Sequence, residues 1–505
     1  MNKTLLLRSF IVFLVSGGLV LAEDADRPAD IQQLRDAIAQ QQLQLDTQRL
    51  QLERLEAEKI STQDAPRVGM IYGRPTISTP DGFSTMSIRA YIQADTAHYA
   101  QNAADGLAVD FRRGSVGTTP NRENNGARDL SDGAYFRRAR FGVEGIINRD
   151  FNYRLMLELG GSGTEGPTRI NDAWINYVGF APFTIQFGAG APPANMDDGT
   201  TPEDGLFIER ASAADLSRSL GGADGRTGLG IRASGARWMS ALTLTGRTVN
   251  DAEVYDSQNA WVARVAALAA TSTDYNIHLG ASATYVVHPA DAGVDATGIR
   301  YGIRFRNQPE LRVDSTRLID TGAIDADHAY ATGAELAANW RGILFQSEYF
   351  WYGIDRRHSL LADPRFNGYY LQAGLLLTGE SHRYNMATGA YMNPRPFIPF
   401  SSQSGWGAWE LAVRYSHTDL NYHEGTAGFA APAEGVRGGV QNIWTTGVNW
   451  YVNANLKLVF NYLNVNVDRL NPSNTAFGAA PASPPVGVQI GQRLNAYALR
   501  MQYGL

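Results

Sequence analysis

Four arginines, Arg89, Arg138, Arg140 and Arg154, stand in segments where apolar and polar residues alternate, and Arg210 and Arg226 stand in the segment Asn195–Arg226. A guanidinium keeps its charge at any physiological pH. Its planar fork grips carboxylate or phosphate through two parallel hydrogen bonds. Such groups gathered on one wall raise the local concentration of anions and hold them briefly. The chain leans on this one cation: its only lysines are Lys3, Lys59 and Lys457, so 41 of the 44 basic residues are arginine. Carboxylates such as Glu144 and Glu158 share the same segments, so each arginine could equally brace the wall by pairing with one.

Other chemistries find less support. There is no cysteine, which removes disulfides, thiolate metal sites and a thiol nucleophile. The letters Gly161-Ser162-Gly163-Thr164-Glu165-Gly166 match a dinucleotide fingerprint. They run into Pro167 and another alternating segment instead of a helix, so they read as a hairpin loop. The eight histidines are scattered without metalloprotease spacing, and neither a nucleophile elbow nor a Walker loop occurs. Asp320, Asp325, Asp327 and His328 offer calcium-type ligands, though such clusters are more often turn formers. No catalytic residue, metal or cofactor is expected, and a formal charge of −6 argues against a nucleic-acid partner.

The elements that must position the arginines follow from periodicity. Lys3 and Arg8 precede the apolar stretch Ser9–Leu21, closed by Ala22 before Glu23 and Asp24; residues 1–22 read as a secretory signal peptide. Ile31, Leu34, Ile38, Leu45, Leu52 and Leu55 occupy a and d positions of one heptad frame interrupted by Gln41 and Gln48. Residues 23–60 therefore read as a coiled-coil helix, with a solvated single helix or tether as the alternative. Residues 61–85, rich in Gly, Pro, Ser and Thr, read as a linker. From residue 86 the period switches to two and stays there to residue 505, as in Met86, Ile88, Ala90 and Ile92 against Ser87, Arg89, Tyr91 and Gln93. Alternating segments of about ten residues, with aromatic runs such as Tyr349-Phe350-Trp351-Tyr352 near their ends, are the pattern of a transmembrane β-barrel. A sheet in hydrocarbon must close on itself to satisfy its backbone, so lipid covers one face of each strand and water the other. The expected fold is all-β: a 16-stranded antiparallel barrel over 86–505 with a short N-terminal helical segment. Strict alternation with Phe141 and Val143 outward turns Arg138, Arg140 and Glu144 inward. It likewise turns Arg89, Asp95, Arg154, Glu158, Glu335, Gln346, Glu348, Glu410 and Arg414 inward.

Several segments, in this order, resemble the phosphate-selective porin O/P family of Gram-negative outer membranes. They are Phe136-Arg137-Arg138-Ala139-Arg140-Phe141-Gly142, Ile170-Asn171-Asp172-Ala173-Trp174-Ile175, Phe207-Ile208-Glu209-Arg210-Ala211, Arg304-Phe305-Arg306-Asn307-Gln308-Pro309-Glu310 and Gly405-Trp406-Gly407-Ala408-Trp409-Glu410. The resemblance implies a homotrimeric outer-membrane porin, surrounded by lipid, with an N-terminal coiled-coil extension, that passes small phosphate-like anions by diffusion. It also implies a pore ladder of lysines, which this chain lacks: Lys457 is the only lysine in the barrel region, and Gly190-Ala191-Pro192-Pro193 stands where the family carries Lys before Pro. The resemblance places an inward-folded constriction loop at Asn195–Arg226. Arg89, Arg138, Arg140, Arg154, Arg210 and Arg226 are thus the candidate pore-lining, anion-binding residues. A barrel acting mainly as an envelope tether through its helix is the alternative.

Overall fold

The period-2 segments become strands of one closed sheet in the computed structural model, which describes residues 27–71, 73–101, 130–161, 168–251, 255–294, 298–401, 403–472 and 486–505. The expected signal peptide at 1–22 and most of the glycine-rich 161–166 lie outside the described residues. Sixteen strands make the wall. The first six are β1 (Thr85–Gln101), β2 (Gly133–Ile147), β3 (Phe151–Glu158), β4 (Arg169–Phe180), β5 (Phe183–Gly190) and β6 (Arg226–Ser234). Then come β7 (Trp238–Thr248), β8 (Asn259–Thr271), β9 (Tyr275–His288), β10 (Ile324–Trp340) and β11 (Ile343–Arg356). The last five are β12 (Arg365–Leu376), β13 (Ala408–Tyr422), β14 (Val436–Tyr451), β15 (Leu456–Asp468) and β16 (Arg493–Gly504). Each pairs antiparallel with the next, and β16 closes on β1 in a register running from Leu494↔Gln101 to Gly504↔Tyr91. Closure leaves no edge strand, the condition hydrocarbon imposes.

Burial is inverted relative to a soluble protein. Large apolar side chains such as Phe141, Leu155, Ile175, Phe187, Leu229 and Leu499 lie on the outer surface. Asp95, Glu158, Glu335, Gln346, Glu348, Glu410 and Arg414 are buried inside. The lumen is nevertheless not polar throughout. The aromatic run on β11 splits by parity: Tyr349 and Trp351 face out, whereas Phe350 and Tyr352 face in and are fully buried. Four consecutive aromatics on a strand cannot all join an interfacial girdle, because two must point to the other face.

What buries them is chain folded back into the barrel. The 191–225 segment between β5 and β6 carries α2 (Met196–Gly199) and α3 (Ser212–Gly221), and α3 packs on β9, β11, β12 and β13. Its apolar face joins Phe305 and Leu311 of the 302–321 segment, Phe366 of β12 and Val465 of β15 in one core cluster. A third inserted segment, around 383–392, forms a small hairpin between β12 and β13. The barrel thus has its own hydrophobic core, built mainly on the β8–β16 side and joined by Ala97 and Tyr99 of β1.

The N-terminal unit, residues 1–65, is distinct from the barrel. Its α1 (Arg27–Asp64) is one helix of 38 residues, about 57 Å long at 1.5 Å per residue. Ile31, Leu34, Ile38, Leu45, Leu52 and Leu55 are all exposed along it. Residues 61–85, expected as linker, instead hold the end of α1 and a hairpin pairing Arg67–Ile71 with Arg74–Ser78. The second hairpin strand continues the sheet against the start of β1, with Thr76↔Ser87 in register and their hydroxyls 2.7 Å apart. Gly73, whose φ of 80° favours glycine, starts the second-strand side of the turn that the linker reading passed over.

Candidate functional site

Residues on the inner face of β1–β6 and of the inserted 191–225 segment enclose a cavity of about 270 Å³. Five guanidinium groups line it, those of Arg89, Arg140, Arg154, Arg210 and Arg232, against four carboxylates, those of Asp172, Asp198, Glu203 and Asp224. Tyr91, Met156 and Trp174 add apolar surface.

Four of the arginines come from the wall by strand parity and Arg210 from the loop, and acids from both meet them. Arg89 on β1 reaches Glu144 at 3.3 Å and Glu203 of the loop at 3.2 Å. Arg140 on β2 lies 2.7 Å from Glu158 and 2.8 Å from Asp224 of the loop. Arg154 on β3 pairs with Glu144 at 2.7 Å and sits over the Trp174 ring, 5.2 Å from its centroid. Arg210, in the loop, lies 3.6 Å from Asp198 and donates to the backbone carbonyls of Asp197 and Thr200. Arg232 on β6 is the exception. It takes part in none of these ion pairs, and its Nε is buried without a hydrogen-bond partner.

Two of the sequence-derived candidates lie elsewhere. Arg138 is buried, donates to Gln93 Oε1 at 2.6 Å and lines a smaller neighbouring pocket with Glu209, Arg210 and Arg414. Arg226 donates to the carbonyls of Gly222 and Gly246 at 2.9 Å each and borders a third, smaller pocket. Four of the six, Arg89, Arg140, Arg154 and Arg210, therefore share one cavity.

The loop is fixed in place by residues that alternation alone did not single out. Glu209 is its anchor: Arg137 donates to it at 2.8 Å and Arg500 at 3.0 Å, and Arg312 lies 3.4 Å away. Burial alone would raise the Glu209 carboxyl, but Arg137, Arg138, Arg500 and Arg312 hold it well below the ordinary carboxylate range. Strict parity would send Arg137 into lipid. A β-bulge between the pairs Gln93↔Arg138 and Ala94↔Phe136 turns Arg137 and Arg138 inward together. The signal was in the motif itself. Phe136 and Phe141 are five residues apart, so both can face lipid only if one residue between them is bulged.

Further ties complete the docking. Glu348 of β11 accepts the backbone N–H groups of Met196 and Asp197 at 2.8 and 3.0 Å. Asn461 Oδ1 accepts the Ile208 N–H at 2.8 Å, and Tyr352 donates to the Ala213 carbonyl at 2.7 Å. Lys457 Nζ donates to the Gly205 carbonyl at 2.8 Å and to Asn393 Oδ1 at 3.2 Å, holding two inserted segments at once. Glu310 of the 302–321 segment accepts the Ser212 N–H at 2.8 Å, the Ser416 hydroxyl at 2.5 Å and Arg414 Nη2. The residue before α3, Ala211, has no side chain able to cap the helix, so Glu310 caps it from another loop. Within the loop, burial pushes Asp197 up to about 6 against the pull of Arg210 and Arg414. Burial raises Glu203 as well, with Arg89 opposing.

The Asp320, Asp325, Asp327 and His328 group does not converge. Arg304 binds Asp320, Asp325 accepts the Tyr301 N–H at 3.0 Å, Asp327 lies 3.6 Å from Arg357, and His328 Nδ1 is 2.9 Å from the Val287 carbonyl. Among the described residues no three His, Asp or Glu side chains gather as a metal site.

A family model described as phosphate-selective porin O and P matches residues 114–503. An uncharacterized protein of Caulobacter vibrioides is 26% identical over 494 residues, covering 90% of each chain. Porin O of Pseudomonas aeruginosa is 23% identical over 360 residues, covering 68% of this chain and 80% of that protein. Among solved structures, an anion-selective porin from Comamonas acidovorans aligns with a TM-score of 0.45 at 11% identity, over 84% of this chain and all of that one.

Proposed function

Because the chain belongs to the phosphate-selective porin O and P family, a family of Gram-negative outer-membrane channels, we propose that its arginines make the anion-preferring passage of a diffusion pore. The observation that carries this reading is the cavity of about 270 Å³ in which Arg89, Arg140 and Arg154 of the wall meet the inserted loop with its Arg210. Arg138 and Arg226, beside it, belong to the same proposed lining. An anion entering this space meets guanidinium forks already engaged by carboxylates. It exchanges with those carboxylates, binding weakly at several successive places, which is what conduction requires. The passing species is proposed as small anions in general. The arginine-based lining, without a lysine ladder, supports no narrower assignment to phosphate.

The test is the reversal potential of the purified channel in a planar bilayer under a KCl gradient. Anion preference is expected, and Arg140→Gln with Arg154→Gln should move the reversal potential toward zero. Cation preference would sink the proposal. Family membership also supports a homotrimer. The exposed heptad seam of α1 is suited to a coiled coil between its copies, and chemical cross-linking of the protein in native membranes reports the stoichiometry.

A further inference from the structure

Resting on the anion-preferring reading above, the inference concerns which anion the cavity accommodates. Among the described residues Arg232 is the one guanidinium of the cavity with no carboxylate at ion-pair distance: Asp172 lies near Arg154, Glu203 pairs with Arg89, and Asp198 and Asp224 are taken by Arg218, Arg210 and Arg140, so Asp198 and Asp172 act on Arg232 only from farther away. The register surrounds Arg232 with further unused polar groups. Thr184 lies opposite it, so Gln186, two residues on, is its diagonal neighbour on the same face; Asn176 on β4 lies opposite Gln186. Asn176 Oδ1 is buried without a partner. The inward residues that pair with Gln186 and Trp174 on the next strand are Gly230 and Gly188, which bring no side chain of their own to this space; the Thr243 side chain lies against Gly230. The Trp174 indole forms the apolar side of this space.

We propose that Arg232, Gln186, Asn176 and Trp174 form a binding subsite for a small organic monoanion, a carboxylate whose carbon chain bears hydroxyl groups, in preference to inorganic phosphate. The guanidinium fork matches a carboxylate. A carboxamide both donates and accepts, as a hydroxyl does, whereas phosphate oxygens mainly accept. An indole face covers C–H surface, which phosphate lacks. Charge selects in the same direction. The second charge of phosphate near neutral pH would face Asp172 and Asp198, which line the same cavity as Arg232.

Chloride current through the full-length channel in planar bilayers, measured with added gluconate or inorganic phosphate at neutral pH, tests this. Gluconate is expected to halve the current at about one-tenth of the phosphate concentration, the upper end of what one extra neutral hydrogen bond gives. Arg232→Gln should abolish that preference, and Gln186→Ala, which leaves the charge intact, should reduce it. Anion preference in the KCl gradient with phosphate blocking as well as gluconate would overturn the subsite and leave the pore reading standing. So would a gluconate preference untouched by both variants. Cation preference would overturn both.

Discussion

Replacement of Glu310 by Gln tests how the lumen is organised. Glu310 and Arg414 are buried, with side-chain exposures of 0% and 3%, and Glu310 is the only carboxylate that Arg414 meets among the described ion pairs. The same carboxylate caps α3 through the Ser212 N–H. Glutamine keeps an acceptor for Ser212 and the Ser416 hydroxyl but removes the charge opposite Arg414. Breaking a buried pair from one side costs about 3–5 kcal/mol. Arg414 retains the Glu209 carbonyl at 3.0 Å and the Phe207 ring 4.5 Å away, which places the loss near the lower limit, about 3 kcal/mol. Glu310→Ala also removes the cap, adding about 1 kcal/mol. At about 1.4 kcal/mol per decade, the Gln variant shifts the equilibrium between docked and undocked loops by more than about a hundredfold. Urea unfolding in detergent micelles reads the loss, and single-channel recordings read the undocking as brief excursions to higher conductance. The Glu310→Gln/Arg414→Gln double variant should recover most of the loss, because the uncompensated charge is then gone. A Gln variant within about 0.5 kcal/mol of wild type, the range of an ordinary surface substitution, would refute the reasoning. So would a double variant showing the plain sum of the two single losses.

Three further outcomes are expected. Asp197, held near 6 in the fold against about 4 when unfolded, binds a proton more tightly in the native state, so stability should fall as pH rises from about 4 to about 6 and then level off. Asp197→Asn should remove that slope and, at pH 7.5, raise stability by on the order of 2 kcal/mol in thermal unfolding scans. Lys457→Met should cost about 1–2 kcal/mol by releasing Gly205 and Asn393, and should broaden the single-channel conductance distribution; unchanged recordings would show that the two segments are held by other contacts. A peptide spanning Arg27–Asp64 should gain helicity with concentration, and more so with Gln41→Leu and Gln48→Leu, as followed by circular dichroism and sedimentation.

Alternation carried most of the fold, because lipid imposes a binary code: Phe141, Leu155 and Leu499 outside, Glu158, Glu335 and Arg414 inside, one residue at a time. The same code could not see the second core. Phe350, Phe366 and Val465 face inward because α3 and the 302–321 segment cover them, and such long-range docking leaves no periodic trace in a strand. At the site, parity placed Arg89, Arg140 and Arg154 on the inner face but misdirected Arg137, since one bulged residue inverts the phase beyond it. Arg232 escaped notice for another reason. Its distinction is the lack of a carboxylate partner, a property of neighbours on other strands and in the loop that no local pattern records.

A passage lined by mutually offsetting charges is easily retuned. With guanidiniums and carboxylates interleaved in pairs, loss of a single carboxylate such as Glu203 frees positive charge on Arg89, and loss of a single arginine frees an acid. Both changes fall on side chains that line the cavity, while the sixteen-strand frame and the packed core stay untouched. Selectivity in such a channel can drift by point substitution far faster than its architecture.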